Sequence, residues 1–366
     1  MKPVLDFFLD ITDPRVERTK LHPLSDIIGI TLCATLAGAK GWDEIHIFAD
    51  ARNEWLQDKL GLSLASGAPS ADTIRRVISR IDSGEFRSSF QVWINEIAGN
   101  ITGVVSIDGK TVKNKFDPSP IHIVSAWTKE NGGLCLAQVK TDDKSNEITA
   151  IPSLLDFLDL KGCIVTIDAM GCQKEIARKI VEENDSNFCL AVKGNQPTLH
   201  SDLQYYFSEC DGYQVEGADY SCLAERNRGR EEVRVAYSCS ETSAIPSLKE
   251  WPWVKSFGGI LAERNCNGTI SSERRYYISS KTLSAKELND TVRDHWGIEN
   301  QLHFRLDVAF CEDGNRIAKD NGQENLSMVR KISLTLFDHD KSKISTKRKI
   351  FKAGLSESYM AKILQL

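Results

Sequence analysis

Val104-Val105-Ser106-Ile107-Asp108 and Ile164-Val165-Thr166-Ile167-Asp168 are two versions of one pattern, and the fold is read from them. Each is a run of mostly β-branched residues, the composition of a buried strand, and each stops at an aspartate. Side chains alternate along a strand, so Asp108 shares a face with Ser106 and Asp168 with Thr166, while Ile107 and Ile167 point the other way. As neighbours in one sheet, the two strands bring two carboxylates together at the edge of an apolar core. Like charges so placed repel, and a shared proton or a metal ion must offset them.

Outward from this pair, the chain from 103 to 192 alternates strand and helix. Strands are expected over 103–112, 122–127 and 134–141, the last two flanking Glu130-Asn131-Gly132-Gly133, whose Asn-Gly signals a hairpin turn. A helix over 148–158, a strand over 163–168, a helix over 173–183 and a strand over 188–192 follow. The order predicts a mixed sheet with helices packed on it, an α/β fold.

The first hundred residues read as helical. Ser25-Asp26 is placed to cap an apolar helix, and Ile45, Phe48 and Trp55 recur at helical spacing over 42–56. Pro69-Ser70 opens a further helix with Ile74, Val77, Ile78 and Ile81 on one face and Arg76 and Arg80 on the other, a candidate DNA contact or a plain solvated surface. Residues 198–277 are strand-like again and read as an insertion, with Gly258-Gly259 marking a bend. Ser284-Ala285-Lys286-Glu287 is a capping box that starts a long helix through Asp307. The tail carries Lys341, Lys343, Lys347, Arg348, Lys349 and Lys352. The expected organisation is an N-terminal helical, DNA-binding domain over 1–100, a catalytic domain over 101–197 plus 281–340, a β-rich insertion over 198–280 and a basic tail over 341–366.

That long helix supplies a third carboxylate. Leu288, Val292, Leu302 and Leu306 form one stripe, and Glu299 falls near its centre, where an ionised group is costly unless paired or coordinated. His295 lies on the stripe, and Arg293 and Arg305 lie off it. An ion pair of Glu299 with His295 or an arginine is the alternative to metal coordination. Three hard oxygen ligands favour magnesium or manganese over zinc.

Composition bounds the rest. At 41% hydrophobic residues, 366 residues can bury a sizeable core. The apolar stretch 27–39 is interrupted by Gly29, Thr31, Thr35 and Gly38 and falls short of the roughly 20 residues of a membrane span. The N-terminus lacks a signal-peptide h-region, so a cytoplasmic, nucleoid-associated location is expected. Ten cysteines include no C-x-x-C pair and read as free core thiols. A net charge of −5 runs against a nucleic-acid partner, yet a metal-dependent nuclease must concentrate carboxylates, and local basic patches can still meet phosphate.

The sequence resembles bacterial insertion-sequence transposases of the Asp-Asp-Glu superfamily, in the group of H-repeat-associated proteins. The resemblance covers nearly the whole chain. It is carried by Asp6-Phe7-Phe8, Asp13-Pro14-Arg15, Ser106-Ile107-Asp108-Gly109-Lys110, Lys144-Ser145-Asn146-Glu147-Ile148, Thr166-Ile167-Asp168-Ala169, Lys193-Gly194-Asn195-Gln196 and His295-Trp296-Gly297-Ile298-Glu299-Asn300. It implies an RNase H-like fold interrupted before its final helix by a β-rich insertion, and gives the catalytic roles to Asp108, Asp168 and Glu299. With them come two Mg2+ or Mn2+ ions per site and double-stranded DNA, transposon ends and target, as partner. Pairing two ends implies a homodimer or higher oligomer in the synaptic complex.

The spacings agree with that plan. The 60 positions from Asp108 to Asp168 leave room for two strands and a helix, and the 131 from there to Glu299 require an insertion. One departure matters. Related transposases often surround the glutamate with Tyr-x2-Arg-x3-Glu-x6-Lys, but here those positions hold Val292, His295 and Leu306. Their DNA-holding roles do not carry over, which leaves Arg293, His295 or His303 as substitutes. Lys110, Lys193 and Gln196 follow the catalytic strands and are candidates for the scissile phosphates, or are merely solvated. A nuclease of the same fold that moves no element, a DNA-binding descendant without catalysis and a small-molecule metallohydrolase stay open on sequence alone.

Overall fold

The computed structural model describes residues 2–17, 20–113, 120–141, 147–208, 217–227, 230–314, 317 and 320–365. Lys144, Ser145 and Asn146 of the quoted motif lie outside the described residues. Five helices lead the chain: α1 Leu24–Leu36, α2 Trp42–Ala51, α3 Asn53–Leu60, α4 Ala71–Arg80 and α5 Ser83–Ala98. Ser70 caps α4 as expected, accepting from the Thr73 amide at 3.2 Å. Ser25-Asp26 does not cap. Both lie inside α1, which starts after Pro23, and Asp26 instead accepts from the Ser63 amide at 2.7 Å. The expected 42–56 helix breaks at Arg52, whose φ of −115° and ψ of 18° leave the helical region.

The sheet begins with β1 Val104–Val112, β2 Ile121–Thr128 and β3 Leu134–Thr141, an antiparallel meander turned by Gly132 and Gly133 at positive φ. Helix α6 Glu147–Leu155 leads to β4 Ile164–Ile167, and α7 Lys174–Arg178 to β5 Asn187–Val192. Both β4 and β5 run parallel to β1. The register sets Ser106 beside Thr166 and Ile107 beside Ile167, so the two duplicated stretches are adjacent and in step.

The region expected to be strand-like from 198 opens instead with a helix, α8 Pro197–Tyr206, which has proline in its first turn where a missing N–H costs nothing. Four strands follow: β6 Asp219–Asn227, β7 Arg230–Cys239, β8 Ser256–Cys266 and β9 Thr269–Ser279. They extend the first sheet, because β9 pairs antiparallel with β5, giving one nine-stranded order β3-β2-β1-β4-β5-β9-β8-β7-β6. Gly258-Gly259 makes no bend. A Cβ at Gly258 would overlap the Leu288 side chain and the Tyr237 carbonyl, so the missing side chain lets the next helix lie close on β8.

That helix is α9 Ala285–Gly297, started by the capping box of Ser284 and Glu287. It does not run evenly to Asp307. A π segment, Ile298–His303, intervenes before α10 Phe304–Phe310. Helix α11 Gly322–His339 is buried along most of its length between the N-terminal helices and the sheet, so both share one core. The last helices, α12 Thr346–Leu355 and α13 Glu357–Leu364, fold back rather than trail. Asp340 accepts from Tyr359 Oη at 2.8 Å and Lys362 Nζ at 2.9 Å, and Lys349, expected on a solvated face, is buried and donates to the Phe337 and Asp340 carbonyls.

The nine described cysteines are free; six are buried, but Cys222, Cys266 and Cys311 are exposed, against the core-thiol expectation. Among the described residues no helix is long and apolar enough to cross a membrane.

Candidate active site

Asp108, Asp168 and Glu299 line one pocket of about 200 Å³; Asp168 directly follows β4, whereas β1 does not stop at Asp108 as expected but runs on, paired with β2, to Val112. Strand alternation accounts for the first two. On the face they share, Ser106 Oγ donates to the Asp294 carbonyl of α9 at 3.3 Å, and Thr166 Oγ1 meets His295 Nδ1 at 3.0 Å. The hydroxyl two residues before each aspartate thus ties its strand to the helix that leads to Glu299. Asp168 is held by its own backbone: Oδ1 accepts from the amides of Met170 at 3.1 Å and Gly171 at 3.4 Å, closing the turn Ala169–Gly171. Asp108 Oδ2 lies 3.5 Å from His303 Nδ1.

Glu299 differs from its expected setting. It is exposed at the pocket rim, and Ile298, 1% exposed, takes the buried position. The extra residue in the π turn shifts the helical phase between Val292 and Leu302, so a uniform 100° step mislocates the residue between them. The alternative of an ion pair with His295 or an arginine does not occur: among the described residues Glu299 has no ion pair, and Arg305 is taken by Asp338 at 2.9 Å.

Burial, then the Asp168 charge, push the Asp108 carboxyl up to about 7, with Glu147 and Glu299 adding to the effect. Asp168 is raised by burial and by Glu147. Burial drives His295 down to about 4 and His303 down to about 3, so both are neutral near pH 7. His295 is therefore no cationic substitute for the arginine of related enzymes. Among the described residues no three His, Cys, Asp or Glu side chains stand close enough to ligate one ion as placed. The donor set is nonetheless hard oxygen throughout and mutually repulsive, which suits a divalent cation.

The basic candidates divide. Lys193 is exposed and lines the pocket. Lys110 does not reach it: its ammonium is locked to Asp307, to Glu312 at 3.0 Å and to Asp313 at 3.6 Å. Gln196 donates to the Cys172 carbonyl at 2.9 Å. Arg293 pairs with Glu225 of β6 at 2.9 Å. Arg76 and Arg80 are exposed on α4, away from this pocket, with Arg76 held by Asp72 at 3.0 Å; together with Arg15 they line a separate shallow groove.

Two residues of the site escape sequence reasoning. Arg275 of β9 lines the pocket, its guanidinium 4.6 Å from the Trp296 ring centroid and ion-paired to Glu273 at 2.7 Å. It arrives only because β9 joins β5. Glu147, 5% exposed at the start of α6, bears electrostatically on both aspartates. The resemblance includes Glu147 in one of its motifs but gives it no role, and an acid opening an apolar helix is ordinary in sequence, so its place at the site comes from the fold.

Residues 101–336 match the family model described as "Transposase DDE domain", and residues 5–94 match the one described as "DDE_Tnp_1-associated". The chain is 41% identical to the "Putative transposase YncI" of Escherichia coli O157:H7, covering all of this chain and 95% of that protein. It is 37% identical to the "H repeat-associated putative transposase YhhI" of Escherichia coli K12, covering all of this chain and 98% of that one. A solved structure of a piggyBac transposase synaptic complex with hairpin DNA aligns over 99% of this chain and 77% of that one, with 11% identity and a TM-score of 0.42.

Proposed function

This chain belongs to the DDE transposase family, and we propose that Asp108, Asp168 and Glu299 hold its two divalent ions, magnesium or manganese, at the ends of an insertion sequence. The observation that carries the reading is the register of β1 and β4, which pairs Ile107 with Ile167, the residues just before the two aspartates, beside a pocket that Asp108, Asp168 and Glu299 all line. When bound, such ions generate the attacking hydroxyl and stabilise charge on the attacking and leaving oxygens.

The chain's own residues do the rest. Asp168 is pre-set by two amides on Oδ1, which orient the carboxylate before any ligand arrives. Lys193 and Arg275 take the phosphate oxygens of the DNA backbone, Lys193 as a mobile point charge and Arg275 as a planar donor held by Trp296. Tyr277, also in the pocket wall, has its hydroxyl pushed up by burial. In this reading water, and then a freed 3′-hydroxyl, are the attacking groups, with no protein-DNA covalent bond. The partner is double-stranded DNA, first at the element ends and then at the target, and joining two ends calls for a dimer or larger assembly.

The test is nicking and strand transfer on DNA carrying the element's terminal repeats, with Mg2+ or Mn2+, for the D108N, D168N and E299Q variants. Loss of both activities in folded protein is expected; cleavage retained by D108N would overturn the assignment.

A further inference from the structure

On the side of the sheet opposite the Asp108 side chain, Gly109, Thr111 and His122 share a face, since Thr111 stands opposite His122 in the β1–β2 register. Thr111 Oγ1 meets His122 Nδ1 at 3.0 Å, and His122 Nε2 lies 2.5 Å from Glu147 Oε1. His122 is 2% exposed. The end of this chain rests on Gly109: a Cβ there would overlap the Glu147 carboxylate and lie 2.5 Å from His122 Nε2. Helix α6, which Glu147 opens, also packs on the turn that Asp168 caps. One buried side chain thus touches the backbone next to Asp108, while its helix braces the turn beside Asp168.

We propose that Glu147 is a positioning residue of the metal site, a fourth carboxylate that His122 holds against Gly109 and that strengthens divalent-ion binding by Asp108 and Asp168 without ligating. A buried carboxylate is a costly way to fill space that an apolar residue would fill more cheaply. Its charge is the part with a use. Seated against Gly109, beside Asp108, with its helix on the turn that follows Asp168, it adds negative potential where a divalent cation would bind. Outer-shell groups of this kind typically change metal affinity by about 10–100-fold when removed.

This inference rests on the assignment of the ion site to Asp108, Asp168 and Glu299, and calorimetric titration of Mn2+ onto the full chain without DNA separates the two. E147Q keeps the shape and an acceptor for His122 but loses the charge; it is expected to weaken Mn2+ binding by about tenfold or more, with the unfolding midpoint of the ion-free protein no lower than wild type. E147D, which keeps the charge, is expected to recover most of the affinity. A purely structural role predicts the reverse, a lowered midpoint with unchanged affinity. Should E147Q not fold, H122N, which frees the carboxylate from its partner, is titrated in its place and is also expected to bind Mn2+ more weakly. A wild type that takes no Mn2+, or a D108N that binds as wild type does, overturns the ion-site assignment itself. Wild-type affinity in E147Q, or in H122N where that is the variant read, with D108N defective, overturns only the role of Glu147.

Discussion

Thr166 of β4 and His295 of α9 meet at 3.0 Å across 129 positions of sequence. This contact fixes the helix leading to Glu299 against the strand that ends at Asp168. It uses a neutral imidazole, since burial holds His295 far below its ordinary range. The site is therefore assembled by the same groups that dock the helix, and changes to that docking should register in catalysis.

Gly297 is the first place to see this. Alanine is the better helix former by about 1 kcal/mol, yet a Cβ here would overlap the Trp127 ring, with a second ring carbon at 2.6 Å. G297A should destabilise the protein by about 1–3 kcal/mol and shift the Glu299 turn outward. Urea unfolding and the nicking assay check it, and a stabilised, fully active variant would contradict the packing argument.

The pH response of the ion-free protein follows from Asp108. Its folded pKa, about 7, lies above the unfolded value, so the neutral form is favoured in the fold and the stability this group contributes falls as pH rises from about 4 to about 7. His295 and His303, held neutral by burial, act in the opposite direction over the same range, so thermal unfolding in chelator should show the Asp108 effect as a loss of wild-type stability relative to D108N as pH rises. Added Mn2+ should reverse it, because cation binding to the folded state stabilises by mass action.

Glu312 has the opposite sign. Fully buried, it is held down at about 2 by Lys110, Lys331 and Arg330, whose charges outweigh its desolvation, and it accepts from Ser327 Oγ at 2.9 Å. Its contribution is complete above the unfolded value near 4.5 and is lost as pH falls toward 2. E312Q strands buried cations and should cost about 3–5 kcal/mol by denaturant titration at pH 7. A near-neutral effect would mean the network is not held together by that charge.

Lys110, within β1, and Lys193, just after β5, should separate cleanly. K193A, on an exposed pocket residue, should leave the melting temperature unchanged, weaken DNA binding and reduce the slope of log K against log salt by about one. K110A should instead lower the melting temperature through the stranded Glu312, with the salt slope unchanged. Equal behaviour of the two would refute the division.

Much of this protein was legible along the chain. The duplicated strand runs, the alternation that puts Ser106 and Thr166 with the aspartates, the mixed order of strands and helices and the Ser284 capping box are all local patterns, and local sterics and periodicity enforce them. Tertiary structure decided the rest. It placed β9 beside β5 and so delivered Arg275, seated Glu147 under Gly109, engaged Lys110 with acids some 200 positions away, and rotated Glu299 to the rim through one π turn. A side chain's face is set by its own strand or helix, whereas its partners, and with them its charge state and freedom, depend on which distant segment the buried core brings against it.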